Sequence, residues 1–319
     1  HPCDYFANLP RQQDLTPEDL EQTFLAYLTE AHRLKRLYAS QIDLLVGLET
    51  DYITQLDLDA LERLLERESE RIEYVVGSVH HVAEQGIDFS VEWWKACLAG
   101  FQAPSSADPS ASNDLPFSDQ AITSYLHAYL AAQHTLLTRI QPPVIGHFDL
   151  CRLYVPHLPL SDTSRFPGIW DAVVRNVKEV IAYGGMFEVS AASFRKGWED
   201  GYPGKDVLQV SPRKAILPGH SKSLIPPTLQ CIIAHKGRLC LSDDSHGPQA
   251  VTQNYARLRA YLIAQNVTEL WYLASVDGQA DAGQEQNQGM SNPRRRAWTW
   301  LDPVRRRVIP RRYEGSWAE

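Results

Sequence analysis

Short apolar runs alternate repeatedly with helical patterns along this sequence, and the alternation constrains the fold more than any other feature. Runs such as "LLVGLE" and "YVVGSV" are apolar at successive positions, which is typical of strands that are covered on both faces. The segments between them repeat their apolar residues every three or four positions, which predicts helices. The sequence therefore predicts an α/β fold with a parallel sheet, either a barrel or a doubly wound sheet.

The clearest predicted helix follows Thr16, which is a favourable N-cap residue and has Asp19 in the capping-box position. Pro17 stands at the first helical position, where proline is well tolerated. Apolar residues then recur at helical spacing along one face: Leu20, Phe24, Leu28, Ala31 and Leu34. We expect this face to pack against the sheet.

Length and charge limit the classes of protein that the chain can belong to. It has 319 residues and a net charge of −8, so it can bury a large core and shows no global sign of binding nucleic acid. The C-terminal part is rich in arginine, which is more often a solvated tail than a binding patch. We expect one domain, no nucleic-acid partner and a disordered, Arg-rich tail over 274–319.

Cysteine usage and hydropathy bear on the cellular location. The five cysteines are scattered and include no C-x-x-C motif, which fits a reducing compartment better than a disulfide framework. No apolar run approaches the roughly twenty residues that a membrane span needs, and no signal peptide is visible. We therefore expect a cytoplasmic protein with no membrane partner.

Residues that can bind metals stand where the predicted strands end. Glu49 ends "LLVGLE", His80 follows "YVVGSV", His147 follows "PPVIG", and Asp244 and His246 follow "LCLSD". Each alone is more often an ordinary surface or satisfied core residue. Because the carboxyl ends of parallel strands meet at one edge of a sheet, the set as a whole predicts a site for a divalent cation. Imidazoles and carboxylates without thiolates suit such an ion.

A second candidate is the stretch "SFRKG", which offers Arg195 and Lys196 beside the Ser193 hydroxyl just after a strand. A hydroxyl beside a guanidinium can hold a phosphate dianion, which arginine binds with two parallel hydrogen bonds. The alternative, an ordinary solvated basic turn, is about equally probable from the sequence.

Several long segments resemble histidinol-phosphatases of the fungal type, which belong to the polymerase-and-histidinol-phosphatase (PHP) superfamily. They are "LLVGLETDYI", "YVVGSVHHV", "PPVIGHFDLCRLY", "YGGMFEVSAASFRKGWEDGYP" and "LSDDSHGP". The resemblance covers 9–273, with 207–230 as an insertion that lacks a clean period. It implies a distorted seven-stranded β/α barrel with a trinuclear site for divalent metal ions, usually zinc, manganese or iron.

The resemblance also implies roles for individual residues. Five of them match metal ligands of the family: Glu49, His80, His147, Asp244 and His246. Asp244 and His246 form the closing D-x-H pair, and with Arg195 they are the expected catalytic residues. Arg195, with Ser193 beside it, falls where the family grips the substrate phosphate. His81 and Asp243 are candidates for partners that orient the ligands.

The sequence departs from the family at its beginning. No H-x-H-S-G stretch precedes the first strand, and Asn8 in "FANLPR" stands where the family has a histidine ligand. We therefore expect the barrel to be incomplete at its first βα unit and the metal site to lack ligands. The first residue, His1, is not a methionine, so we expect either a fragment, a faulty gene model or a degenerate relative; the patternless 207–230 favours a faulty gene model.

The activity that the resemblance implies is hydrolysis of L-histidinol phosphate to L-histidinol and phosphate in histidine biosynthesis. Its partner is a small phosphorylated substrate; the sequence does not indicate an oligomeric state. One alternative is a PHP-like protein that binds metal or a partner without turnover, which the missing ligands favour. Another is a PHP enzyme acting on a different phosphoester or on nucleic acid, which the acidic composition disfavours.

Overall fold

The computed structural model describes residues 16–103, 117–208, 232–275 and 308–314. Two predictions lie largely outside these ranges, namely the insertion at 207–230, of which 207 and 208 are described, and most of the tail at 274–319. Asn8 also lies outside them. The domain boundaries at 9 and 273 therefore stay predictions.

Helices and short strands alternate along the described chain. The helices are α1 Pro17–Leu37, α2 Gln55–Arg67, α3 Val91–Ala99, α4 Asp119–Ile140, α5 Ile169–Tyr183, α6 Ala192–Arg195, α7 Lys205–Leu208 and α8 Tyr255–Ala264. The strands are β1 Gly47–Glu49, β2 Tyr74–Gly77, β3 His81–Val82, β4 Gln85–Gly86, β5 Val144–Ile145, β6 Met186–Ser190, β7 Arg238–Ser242, β8 Trp271–Ser275 and β9 Val308–Arg312. No described helix is long and apolar enough to cross a bilayer.

Seven of the strands form one sheet in the order β1-β2-β5-β6-β7-β8-β9, and β3 pairs with β4 in a separate hairpin. Every neighbouring pair from β1 to β8 is parallel, which confirms the predicted parallel α/β class. In the described residues β1 pairs only with β2 and β9 only with β8, so hydrogen bonds do not close the sheet into a ring.

The predicted disordered tail is wrong at 308–312, which forms β9. This strand runs antiparallel to β8, with Trp271 opposite Arg312 and Ser275 opposite Val308. The edge of β8 offers unpaired backbone groups that another strand can satisfy. The segment "VIPRR" begins with two β-branched residues, which suit a strand, but the surrounding arginines outweighed that signal in the sequence.

The start of α1 follows the sequence prediction in detail. The Asp19 backbone N–H donates to Thr16 Oγ1 at 3.2 Å, and the Thr16 backbone N–H donates to the Asp19 carboxylate at 2.9 Å. These reciprocal bonds satisfy amide groups that a helix end leaves free. The apolar face is buried as expected, and its innermost members are Leu20, Phe24 and Leu28.

The strand ends rest on an aromatic core. Phe148 follows His147 and Phe187 precedes Glu188, and their rings pack edge to face with centroids 5.8 Å apart. Both side chains are about 99–100% buried, and burying an aromatic ring of this size stabilises a fold by about 1.5–3 kcal/mol. The backbone that holds the polar residues next to these rings is therefore well packed.

Candidate metal centre

Three of the five predicted metal ligands meet in the structure: Glu49, His80 and His147. The Nε2 atoms of the two imidazoles lie 3.1 Å apart. Glu49 Oε1 lies 3.2 Å from His147 Nε2 and 3.4 Å from His80 Nε2. A tetrahedral zinc ion with bonds of about 2.0–2.1 Å has its ligand atoms about 3.3–3.4 Å apart. The three atoms therefore have the spacing of ligands that share one cation.

Neighbouring parallel strands bring these residues together. Glu49 is the last residue of β1, His80 lies three positions beyond the end of β2, and His147 lies two positions beyond the end of β5. The register places Glu49 opposite Val76 in β2 and aligns the ends of β2 and β5. All three side chains thus leave from the carboxyl edge of the sheet, as the sequence predicted.

Gly146 allows the ends of β2 and β5 to approach each other. A Cβ atom at this position would lie 2.4 Å from Ser78 Oγ and 3.7 Å from Glu49 Oε1. The Gly146 backbone N–H also donates to the carbonyl of Gly77 at 3.1 Å. Any larger side chain here would push on the strand end that leads to His80.

Glu188, in the middle of β6, holds the backbone of His147. Its Oε2 accepts a hydrogen bond from the His147 backbone N–H at 2.6 Å. Burial raises the pKa of the Glu188 carboxyl, and the nearby charge of Glu49 adds to the rise, although His147 opposes it. His147 Nδ1 is buried and has no hydrogen-bond partner in the described part of the chain.

Asp51 is a buried neighbour of the site that the sequence analysis missed. Its Oδ1 accepts from the backbone N–H groups of His80 at 3.0 Å and Tyr52 at 2.7 Å. Its Oδ2 lies 2.6 Å from His81 Nδ1. An acidic residue two positions after Glu49, past the same strand end, was the available signal. The residues predicted from the sequence to orient the ligands were His81 and Asp243.

Electrostatics around the cluster favour charged side chains. Burial alone would raise the pKa of the Glu49 carboxyl, but hydrogen bonds from His147 and His80 hold it well below its usual range. Burial would lower the pKa of His80, yet Asp51 and Glu49 raise it well above its ordinary value. The carboxylates of Glu49 and Asp51 thus lie against the imidazoles of His80 and His147, and this negative charge suits a divalent cation.

Asp244 and His246 do not join this cluster. They lie on the turn after β7, where Asp244 has a φ of 50°. The His246 side chain is 73% exposed, and its Nδ1 lies 2.9 Å from the carbonyl of Asp244. Because a carbonyl only accepts, Nδ1 carries the proton and Nε2 keeps its lone pair. The imidazole is thus oriented by a hydrogen bond within its own turn and not by the cluster.

Arg195 lies beside the same turn and binds its backbone. Nη1 donates to the carbonyl of Asp243 at 2.6 Å and Nη2 to that of Asp244 at 2.9 Å. The Asp243 carboxylate contacts Ser245 and the backbone of Thr252, so it closes its own loop and contacts no residue of the cluster.

Ser193, the other predicted phosphate contact, is completely buried. Its hydroxyl has no hydrogen-bond partner in the described ranges. Its backbone carbonyl accepts from the N–H groups of Lys196 and Trp198, both at 3.0 Å. Direct contact with a substrate phosphate does not fit this burial, and Arg195 alone is kept as a candidate.

A parallel α/β sheet whose strand ends assemble two imidazoles and a carboxylate defines a protein with a candidate metal centre at the carboxyl edge of the sheet. The family model of the PHP domain matches residues 8–192, which is more than half of the chain. The chain belongs to the PHP domain family.

Two curated proteins are similar over most of their length. One is named "Probable histidinol-phosphatase", from Schizosaccharomyces pombe; it is 34% identical over 261 residues, covering 82% of this chain and 72% of its own. The other is a histidinol-phosphatase from Saccharomyces cerevisiae, 27% identical over 298 residues, covering 84% of this chain and 77% of its own. A crystal structure of a Listeria monocytogenes protein assigned as a histidinol phosphatase aligns with a TM-score of 0.49 at 18% identity, over 74% of this chain and 75% of that one.

Proposed function

We propose that this chain is a metal-dependent phosphomonoesterase that hydrolyses L-histidinol phosphate to L-histidinol and phosphate, a reaction of L-histidine biosynthesis. The observation that carries the proposal is the convergence of Glu49, His80 and His147 in a chain of the PHP family. The substrate is taken from the names of the two curated relatives.

The cluster fits a divalent cation of borderline hardness. Glu49, His80 and His147 would hold it, and their nitrogen and oxygen donors suit zinc, manganese or iron. Such an ion supplies Lewis-acid chemistry, because it draws charge from phosphoryl oxygens and makes water more acidic. His147 is buried and the His80 side chain is 13% exposed, so the two imidazoles are largely shielded from bulk water.

The remaining predicted site residues have roles in this proposal. Asp244 and His246 are proposed as further ligands and catalytic groups on the turn after β7. His246 Nε2 keeps a lone pair, so it is able to accept a proton or a metal ion. Arg195 is proposed to contact the substrate phosphate: two of its five N–H groups bind the turn and three remain for an anion.

A second function, metal binding without turnover, is favoured by one observation. Two of the five predicted ligands, Asp244 and His246, lie outside the cluster in the described structure. Without these two residues, Glu49, His80 and His147 would hold a cation but would lack the further ligands and catalytic groups that the resemblance implies. The two functions differ in whether the metal-loaded protein releases phosphate.

The test is phosphate release from L-histidinol phosphate by the purified chain loaded with Zn²⁺, Mn²⁺ or Fe²⁺, together with its metal content. Turnover in the unaltered chain is expected to fall in Glu49→Gln by more than the roughly 10- to 100-fold cost of losing an outer partner of a metal ligand. Glu84→Gln, which changes an exposed carboxylate on the β3–β4 hairpin, is the control.

Other results of this assay would support a different function. Bound metal with no turnover supports the binding function, and no bound metal contradicts both functions. Release of phosphate from phosphodiesters in preference to L-histidinol phosphate would indicate a different substrate. The cytoplasmic location and the lack of nucleic-acid and membrane partners stay predictions.

A further inference from the structure

We propose that Asp51 is a positioning residue that holds His80 in the metal-binding cluster. The inference rests on the proposed function only in that the cluster binds a cation. Asp51 itself contributes no atom to the cluster of Glu49, His80 and His147. It is 1% exposed and follows Glu49 by two residues, beyond the end of β1.

Asp51 links the segments that follow two neighbouring strands through backbone hydrogen bonds. Asp51 Oδ1 accepts from the His80 backbone N–H at 3.0 Å, so the segment after β1 is bonded to the segment after β2 at the ligand itself. The same oxygen accepts from the Tyr52 backbone N–H at 2.7 Å, which fixes the carboxylate in its own loop. The hydrogen bond from His80 to Asp51 therefore fixes the position of the His80 Cα relative to Glu49.

The Asp51 carboxylate also lies beside the imidazole rings of His80 and His81. Asp51 Oδ2 lies 2.6 Å from His81 Nδ1 and 3.6 Å from His80 Nδ1. An ionised carboxylate only accepts hydrogen bonds, so His81 Nδ1 carries a proton and donates it. The negative oxygen also favours a proton on His80 Nδ1, which leaves the lone pair of His80 on Nε2. That is the atom which lies 3.1 Å from His147 Nε2.

The contacts of the Asp51 carboxylate position the metal-binding cluster and, among the described residues, do not stabilise a helix end or a salt bridge to a lysine or arginine. Asp51 spans no helix end and makes no ion pair with a lysine or arginine in the described chain; its partners are the two consecutive histidines and the backbone next to them. Carboxylates that hold metal-binding histidines in this way typically strengthen metal binding by 10- to 100-fold.

Asp57 is a matched control because it is also a buried carboxylate in the same segment. It is 4% exposed, and its Oδ2 accepts from the Thr54 backbone N–H at 2.8 Å and the Thr54 hydroxyl at 2.7 Å, which caps α2. It has a structural role and no contact with the cluster. Asp57→Asn is therefore expected to lower the thermal midpoint by a few degrees and to leave metal affinity unchanged.

The experiment titrates Zn²⁺ into the unaltered chain, Asp51→Asn and Asp57→Asn, and records the absorption spectrum of each with Co²⁺. We expect Asp51→Asn to raise the Zn²⁺ Kd by about 10- to 100-fold and to change the Co²⁺ spectrum, whereas Asp57→Asn changes neither. Equal Zn²⁺ affinity in Asp51→Asn and the unaltered chain would overturn the inference.

Two further outcomes can be distinguished from failure of the positioning role. An unaltered chain that binds no Zn²⁺ contradicts the proposed function itself. If Asp51→Asn does not fold, Asp51→Glu keeps the charge but moves it by one methylene group. A folded Asp51→Glu with weakened Zn²⁺ binding then supports the positioning role, and one with unchanged binding refutes it.

Discussion

The Nε2 atoms of His80 and His147 lie 3.1 Å apart, although 67 residues separate them in the sequence. Two imidazole nitrogens at this distance repel each other unless a proton or a cation lies between them, because two lone pairs would otherwise face each other. Glu49 Oε1 lies within 3.4 Å of both nitrogens, so a positive charge at this point is further stabilised. Protons and metal ions therefore compete for the same position.

The first prediction is that Zn²⁺ affinity rises with pH. In the metal-free protein, Asp51 and Glu49 raise the pKa of His80 against the effect of burial. The protonated His80 ring therefore stabilises the folded protein. This contribution is fully present below the ordinary imidazole pKa and is lost as the pH rises through the raised pKa of His80. Zn²⁺ must displace that proton, so we expect tighter binding and proton release in titrations between about pH 5.5 and 8. A pH-independent Kd would contradict the competition.

The second prediction concerns Gly146→Ala. The new Cβ would lie 2.4 Å from Ser78 Oγ, so the strand ends must separate. We expect Zn²⁺ affinity to fall by about 10-fold or more, since small displacements of ligands weaken a site strongly. Calorimetric titration measures this.

The matched control removes the clashing atom. In Ser78→Ala/Gly146→Ala the hydroxyl is absent, although the Val76 side chain still lies 3.1 Å from the new Cβ. Partial recovery of affinity is expected, with a coupling energy of about 0.5–3 kcal/mol between the two sites. Additive losses would show that the two residues do not interact.

The third prediction is that Arg195→Gln loosens the turn after β7. Two hydrogen bonds to the carbonyls of Asp243 and Asp244 are lost, each worth about 0.5–1.5 kcal/mol. Amide hydrogen exchange over 244–252 should therefore become about 10-fold faster in the free protein. Lys196→Gln is the control, because this ammonium lies over the Tyr202 ring and does not contact the turn. If Arg195→Gln raises the KM but leaves exchange over 244–252 unchanged, Arg195 does not stabilise the turn and acts only by contacting the substrate phosphate.

The fourth prediction concerns a buried ion network near His147. Arg152 is 3% exposed, and its Nη2 donates to Asp149 at 2.5 Å and to Asp206 at 2.6 Å. Arg152→Leu leaves both carboxylates without their cation, so we expect a loss of about 3–5 kcal/mol in the free energy of unfolding. Urea denaturation measures it. Arg33→Leu, which breaks a solvent-exposed pair with Glu30, should leave the urea midpoint nearly unchanged.

Local patterns predicted the elements that depend on local chemistry. The capping box at Thr16 and Asp19 and the apolar face of α1 were both predicted because their partners lie within a few residues. The cluster was predicted for a related reason: parallel strands turn a local position, the end of a strand, into a shared location in space. Glu49, His80 and His147 meet on that basis.

The missed features depend on contacts that no local pattern records. The position of Asp51 two residues after Glu49 is visible in the sequence, but its hydrogen bond to the backbone N–H of His80, 29 residues further along the chain, is not. His246 follows the D-x-H spacing, but the left-handed backbone at Asp244 directs its imidazole towards its own turn. β9 forms because the edge of β8 is available, which composition alone does not reveal.

The antiparallel direction of β9 also decides where the last described residues emerge. Val308 lies at the carboxyl end of β8, and the strand then runs back until the Tyr313 backbone N–H donates to the carbonyl of Leu270 at 2.7 Å. A fluorophore attached at Tyr313 would therefore sit at the amino end of β8, whereas the imidazoles lie at the carboxyl edge of the sheet. It would report detachment of the final strand without disturbing the metal-binding cluster.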